Sequence, residues 1–341
     1  MRLEERGMRL PRVNRPRVLD LRKISGTKIL LAALTIINSL AEPGNAKIEP
    51  TTSSATLSQD CVKIEKVADG LVFPEGPVWH PDGFLLFSDV QGGKIMKLDA
   101  VGGCEPWINF DPPRQTNGLM LSNDRTKIYA GGHGELALLE IDAHSKATRI
   151  VTRECSGLPY NDVNDVATDS AGHVFFTDPK WGKKAATPQG VYRVNPADGT
   201  TTLAAALDRM PNGITISPDQ RWLYVDRTGG DDVWRYRLSA EGTLTDGARW
   251  IALDAKSGPD GMSIDRQGNL YICQAGNGCV QVVSAEGKIL RSVKVFERMC
   301  TNCEFEHAGP GGIGDGRVLY VTGGGLANQK VGAVYRLTFP Q

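Results

Sequence analysis

Pro211-Asn212-Gly213-Ile214-Thr215-Ile216-Ser217-Pro218-Asp219-Gln220-Arg221-Trp222-Leu223-Tyr224-Val225-Asp226 is the stretch whose reading decides the fold. It opens on an amide side chain and continues as a short alternating strand. It turns at Ser217-Pro218-Asp219 and returns as an aromatic-led apolar strand, Leu223-Tyr224-Val225. Moving outward in both directions, the same unit recurs. Its other openings are Glu75-Gly76-Pro77-Val78-Trp79, Asn117-Gly118-Leu119-Met120, Asn164-Asp165-Val166-Ala167 and Asp260-Gly261-Met262-Ser263. In chain order the aromatic follows its opening residue by 12, 12, 12, 12 and 11 positions, at Phe87, Tyr129, Phe176, Tyr224 and Tyr271. A sixth, looser copy opens at Asn302-Cys303-Glu304-Phe305 and closes at Leu319-Tyr320-Val321-Thr322 after an insertion.

Aromatic anchors spaced 42 to 49 residues apart match the length of a four-stranded propeller blade. Third strands are legible at Lys94-Ile95-Met96-Lys97-Leu98 and Val233-Trp234-Arg235-Tyr236-Arg237. The last copy ends the chain after its third strand, Ala333-Val334-Tyr335-Arg336-Leu337, while Cys61 to Val67 has no blade of its own. The expected fold is therefore all-β, a six-bladed β-propeller over residues 61–341. Its ring is closed by an N-terminal strand that completes the last blade and removes the unpaired edges of an open array.

First strands line the channel of a propeller, so Glu75, Asn117, Asn164, Asn212, Asp260 and Asn302 are expected to converge on its axis. Two carboxylates and four amides form an all-oxygen set suited to a hard divalent cation, Ca²⁺ first, with Zn²⁺, Mn²⁺ or Mg²⁺ as alternatives. Singly, Asn-Gly and Asp-Gly are turn dipeptides; six blades agreeing at one register point to ligands. Loops after the second strands rim the same mouth. They place His133 there as a lone exposed histidine, and a longer loop with Lys180, Trp181, Lys183 and Lys184 as a possible lid. His80, His144 and His173 fall at turns and His307 beyond the sixth opening, and none is assigned a role.

The 341 residues carry 39 basic and 39 acidic side chains, unevenly spread. Residues 1–46 hold nine basic and four acidic groups, leaving 30 basic against 35 acidic. That mildly acidic remainder, with no Lys/Arg run, argues against nucleic acid or an anionic membrane as partner. A basic stretch, the apolar run Ile29 to Leu40 and small residues at Ala41 and Ala46 give the pattern of a secretory signal over 1–46, cleaved near 41 or 46. A polar linker fills 47–60. The mature chain is expected in the periplasm or outside the cell, free of the membrane after cleavage, as a monomer or weak homo-oligomer. Of seven cysteines, Cys300 and Cys303 have the spacing of half a zinc site, but no second pair completes it. They read as buried thiols or one local bridge.

Glu75-Gly76-Pro77-Val78-Trp79, Asn164-Asp165, Pro211-Asn212-Gly213 and Pro259-Asp260-Gly261-Met262 resemble the signature elements of the gluconolactonase and senescence-marker-protein family, over roughly residues 65–340. That family comprises six-bladed, metal-dependent lactone hydrolases. The resemblance implies Glu75, Asn212 and Asp260 as core metal ligands, with Asn164 completing the site or binding substrate. It also implies Asp260 as general base and a lactone as the small-molecule substrate. Asn117, His133 and Asn302 would join Asn164 in lining the substrate pocket. Where some sugar-lactonase members carry a substrate-binding arginine just before Asn164, this chain reads Tyr160-Asn161-Asp162-Val163. Two other readings keep the fold: phosphotriester or aryl-ester hydrolysis on the same metal site, and a non-enzymatic, calcium-stabilised binding propeller.

Overall fold

The computed structural model describes residues 62–181, 186–325 and 329–340; the expected leader and linker lie outside them. Six blade sheets stand around a central axis, the first four built from four consecutive antiparallel strands in simple up-and-down order. The fifth has a short parallel strand added beside its inner strand, and the sixth takes its outermost strand from the N-terminal end. Their innermost strands are Pro74–His80, Thr116–Leu121, Val166–Thr168, Met210–Ile216, Pro259–Asp265 and Cys300–Phe305. Each lies beside its neighbours, and the last meets the first.

The seam is where the sequence pattern places it. Lys63–Leu71 pairs antiparallel with Gly332–Thr338, Lys63 opposite Thr338, as the outermost strand of the sixth blade. On the channel side, the Thr301 hydroxyl donates to the Pro74 carbonyl at 2.8 Å and ties the first inner strand to the last. Between blades, the aromatic anchors Phe87, Tyr129, Phe176, Tyr224, Tyr271 and Tyr320 are all buried. Each contributes on the order of 1.5–3 kcal/mol of apolar burial.

One irregularity repeats and positions the site. Pairing between inner and second strands skips at Glu75/Val78, Thr116/Leu119, Pro211/Ile214, Pro259/Met262 and Cys300/Asn302. Such bulges re-aim a side chain and leave backbone groups to be satisfied elsewhere. Here hydroxyls of second strands reach across to the neighbouring blade: Ser88 to the Asn117 carbonyl at 2.7 Å, Thr177 to Asn212 at 2.7 Å, and Thr228 to Pro259 at 2.7 Å. The crowding demands glycine. A β-carbon on Gly213 would lie 2.2 Å from the Asp260 carbonyl oxygen.

The insertion of the sixth blade crosses the far end of the channel. Its 3-10 turn, Pro310–Gly312, reaches the inner strands of the second, third and fourth blades. Ile313–Gly314 then pairs parallel with Ile264 and Asp265 of the fifth. Arg125 holds the segment, donating to the carbonyls of Ala308 at 2.6 Å and Trp79 at 3.2 Å.

Candidate functional site

All six opening residues are buried, between 4% and 8% exposed, five of them within the mouth-side half of their inner strands and Asn164 just before the strand Val166–Thr168. Glu75 and Asp260 influence each other directly, and the Asn212 amide favours the charged form of Asp260. The Asn302 amide serves both Glu75 and Asp165, and its Nδ2 donates to Asp165 Oδ2 at 3.5 Å from a blade on the opposite side of the ring. Asn117 is buried with its Oδ1 unbonded. Asn164 is held by its backbone, whose N–H donates to Thr177 O at 2.9 Å and whose carbonyl accepts from Gly118 at 3.0 Å.

Three further carboxylates complete the channel, and the repeat pattern missed all of them. Asp165 occupies the position after the opening residue, where four blades carry glycine. Its Oδ1 fills the space a Gly118 side chain would need. Asp226 follows its aromatic by two positions, as Asp89 and Asp178 do. Those two accept backbone N–H groups of Phe73 and of Asn161 and Asp162. Asp226 instead faces Asp260 and Asp165, with neither oxygen in a hydrogen bond of normal geometry. Glu304 lies beneath, beside Gly312 of the covering turn. With Asp165, Asn302, Thr215 and Ser263 it lines a cavity of about 20 Å³, room for one water molecule. The one legible signal was Asn164-Asp165, an acid where the pattern otherwise asks for glycine.

So many carboxylates in so little water disfavour their own charge. Burial, then the Asp165 carboxylate, push Glu75 up to about 8, against the Gly76 N–H and the Asn302 amide. Burial raises Asp165 to about 7 and Glu304 to about 8. Asp260 is held well above the carboxylate range by burial and then by Glu75 and Asp165; Asp226 by burial and then by Asp260 and Asp165. The strongest influences on Glu75, Asp165, Asp226 and Asp260 include no cationic side chain; Arg125 acts on Glu304. Crowded oxygen donors, an unbonded amide oxygen and uncompensated negative charge together suit a divalent cation.

His133 departs from expectation. It is 4% exposed rather than open at the mouth, because its Nδ1 sits 2.8 Å from Asp162 Oδ1 and both side chains are buried. Asp162 belongs to the segment before Asn164, which Asp178 organises by accepting from the N–H groups of Asn161 and Asp162 at 2.9 and 2.6 Å. Of the suggested lid, Trp181 is buried and residues 182–185 lie outside the described ones. Cys104, Cys155, Cys273, Cys279, Cys300 and Cys303 are free thiols, with Cys300 and Cys303 buried against Cys273. The half zinc spacing is thus a pair of core thiols. Neither His80 nor His144 is at the channel, yet they come together with Asp82 elsewhere.

Residues 73–324 match the family described as SMP-30/Gluconolactonase/LRE-like region. A gluconolactonase of Zymomonas mobilis is 31% identical over 257 residues, 67% of this chain and 71% of that protein. A pentonolactonase of Haloferax volcanii is 27% identical over 283 residues, 77% and 89% of the two chains. Among solved structures, a gluconolactonase from Xanthomonas campestris superposes with a TM-score of 0.71 at 21% identity, covering 88% of this chain and 99% of its own. A calcium-binding regucalcin from Agrobacterium tumefaciens gives 0.67 at 21%, covering 81% and 93%. The likeness of these two structures is one of fold. With the family's match spanning the blades and the channel residues just described, the chain belongs to the SMP-30/gluconolactonase/LRE-like family.

Proposed function

We propose that this protein hydrolyses a lactone, a sugar lactone in first place, at the mouth of the propeller channel, with a divalent cation held by Glu75, Asn212 and Asp260 and completed by Asn164. One observation carries the reading: Glu75 and Asp260 face each other in a buried, all-oxygen pocket with no cationic side chain among their strongest influences. The relatives named as gluconolactonase and pentonolactonase support the substrate class. Ca²⁺ fits the donor set best, and the regucalcin neighbour is described as calcium-binding. Bound there, the cation would supply Lewis-acid polarisation of the ring carbonyl.

The chain's own residues do the rest. The Asp260 carboxylate accepts the proton of the water that adds to the carbonyl carbon. When the ring C–O bond breaks, that proton passes to the departing alkoxide, and the product is a hydroxy acid. The unbonded Oδ1 of Asn117 offers an acceptor to a substrate hydroxyl, and the Asn164 side chain completes the lining. His133, tied to Asp162, shapes the wall rather than relaying protons.

The test uses chelator-stripped protein reloaded with Ca²⁺, Mn²⁺, Mg²⁺ or Zn²⁺ and assayed with a pH indicator on sugar and aliphatic lactones beside phosphotriesters and aryl esters. Turnover is expected on lactones and to depend on the added cation. Asp260→Asn or Glu75→Gln should lower kcat by about 10²–10⁴-fold in protein of unchanged circular dichroism. Wild-type rates in either variant would overturn the site, and preference for the phosphotriester would overturn the substrate class.

Export belongs to the same proposal, with residues 1–46 as the cleaved leader. Mass spectrometry of periplasmic or secreted protein should find an N-terminus just after residue 41 or 46. An intact chain confined to the cytoplasm would reject it.

A further inference from the structure

On the face opposite the channel mouth, the first two blades bring together three side chains with no part in the proposed reaction. His80 ends the inner strand Pro74–His80 and Asp82 sits in the turn that follows. His144 sits in the turn after the strand Ala137–Asp142. One ligand atom from each lies within 4.8 Å of the other two. His80 Nδ1 is 3.6 Å from Asp82 Oδ2, and His144 Nδ1 is 3.8 Å from the same oxygen. Ligands about 2.0–2.1 Å from a tetrahedral ion stand roughly 3.3 Å apart. Each imidazole must therefore close on Asp82 by about 0.5 Å or less, and the two imidazoles, within 4.8 Å of each other, by about 1.5 Å or less. Rotation of the exposed His144 side chain can supply that movement.

From this geometry we propose that His80, Asp82 and His144 form a second metal site, for a borderline divalent cation such as Zn²⁺ or Co²⁺, stapling the first blade to the second.

The support around His80 is what a metal-ligating imidazole needs. Its Nε2 lies 3.0 Å from the Ala143 carbonyl, so Nε2 carries the proton and Nδ1 the lone pair. The Asp82 N–H, at 3.2 Å from Nδ1, confirms that tautomer with a long bond that a stronger Lewis acid would replace. Ala143 adjoins His144, so the turn that presents one imidazole also orients the other. The His80 ring is stacked on Phe84, centroids 4.2 Å apart and planes 9° from parallel, which fixes its direction. The His144 turn is rigid in its own right, with the N–H groups of His144 and Ser145 donating to Asp142 Oδ1 at 3.2 and 2.9 Å. Burial lowers the His80 pKa from its ordinary value, with His144 and Arg125 acting the same way against the pull of the Ala143 carbonyl and Asp82. The His80 side chain is 1% exposed, while Asp82 and His144 are 57% and 64% exposed. The ion's remaining positions therefore face water, beside a groove lined by Trp107, Lys97 and Lys146. Two imidazoles and one carboxylate select Zn²⁺, Co²⁺, Ni²⁺ or Cu²⁺ over Ca²⁺. The oxygen-lined channel prefers the reverse, so the two faces sort different ions.

The experiment takes the full chain, purified without a histidine tag and saturated with Ca²⁺, and titrates it with Co²⁺. Visible absorption and calorimetry follow binding. The wild type should bind one Co²⁺ per chain with an imidazole-ligand spectrum, and Zn²⁺ should displace it. His144→Ala and Asp82→Asn, both at exposed positions, should weaken binding by at least about tenfold while the lactonase rate of the Ca²⁺-loaded protein stays unchanged. Undiminished Co²⁺ affinity in both variants, or no saturable binding by the wild type up to millimolar Co²⁺, would overturn the site. Neither result depends on whether the channel hydrolyses lactones.

Discussion

Glu75 and Asp165 make the native chain's stability a function of pH. In the fold they hold protons to about pH 8 and about 7, against ordinary values of 4.5 and 3.8. Between those limits the folded chain binds more protons than the unfolded one. Their contribution is therefore fully present at low pH and is lost as pH rises through the folded values. A cation in the channel replaces those protons with fixed positive charge and removes the penalty of ionisation. The Ca²⁺-induced rise in Tm should accordingly be larger at pH 8 than at pH 5, measured by scanning fluorimetry on stripped and reloaded protein. An equal rise at both would mean that Ca²⁺ does not meet these carboxylates. Asp226, beside Asp260 with neither oxygen in a hydrogen bond of normal geometry, adds to the same deficit of positive charge.

Within a blade, the inner strand is where folding and chemistry meet. In five blades a bulge interrupts the pairing beside the opening residue, and in the four blades with glycine at the next position a β-carbon there would collide with the neighbouring blade. Gly213→Ala sets a methyl against the Asp260 carbonyl and 2.7 Å from Asp226 Oδ2. It should destabilise the protein by about 1–3 kcal/mol in denaturant melts, as overpacking does, and weaken Ca²⁺ binding at the same time. Loss of stability with Ca²⁺ affinity intact would separate the bulge from the site. The same anatomy explains what could be read from the sequence. Strand alternation, turn dipeptides and the aromatic anchors are local, so the blades, the seam at Lys63–Leu71 and the ring from Glu75 to Asn302 were legible. Asp226 was not, because its strand looks like those of Asp89 and Asp178 and only the facing blade decides which way it serves. Glu304 became part of the channel through the turn at Pro310–Gly312, and His133 was hidden by Asp162, whose approach depends on the Asp178 loop. The pairing of His80 with His144 likewise needs two blades side by side.

At the scale of the molecule, six similar sheets leave a channel with two unlike ends. The mouth gathers oxygens from all six inner strands, while the far end is crossed by the sixth blade's insertion and fastened through Arg125. The insertion thus covers inner strands at the far end, and the outer turns of that face carry the histidine pair. The blades around that axis pack mainly on their neighbours, with the sixth blade's insertion and the Asn302–Asp165 contact as cross-ring ties. The seam has the same antiparallel pairing as the outer strands of other blades.

Because Lys63 lies opposite Thr338, the described chain is topologically a loop that happens to be cut at one place. The cut should be movable. Joining residue 340 to residue 62 by a short linker, and opening new ends in the exposed turn at Asp198-Gly199, rearranges the order of synthesis without removing a single strand partner. Such a circular permutant should fold, bind Ca²⁺ and turn over lactones at close to the parental rate, by the same assays. Failure to fold would show that the seam is a required starting point for assembly. Success would make the ends interchangeable attachment points on the outer rim, away from the channel.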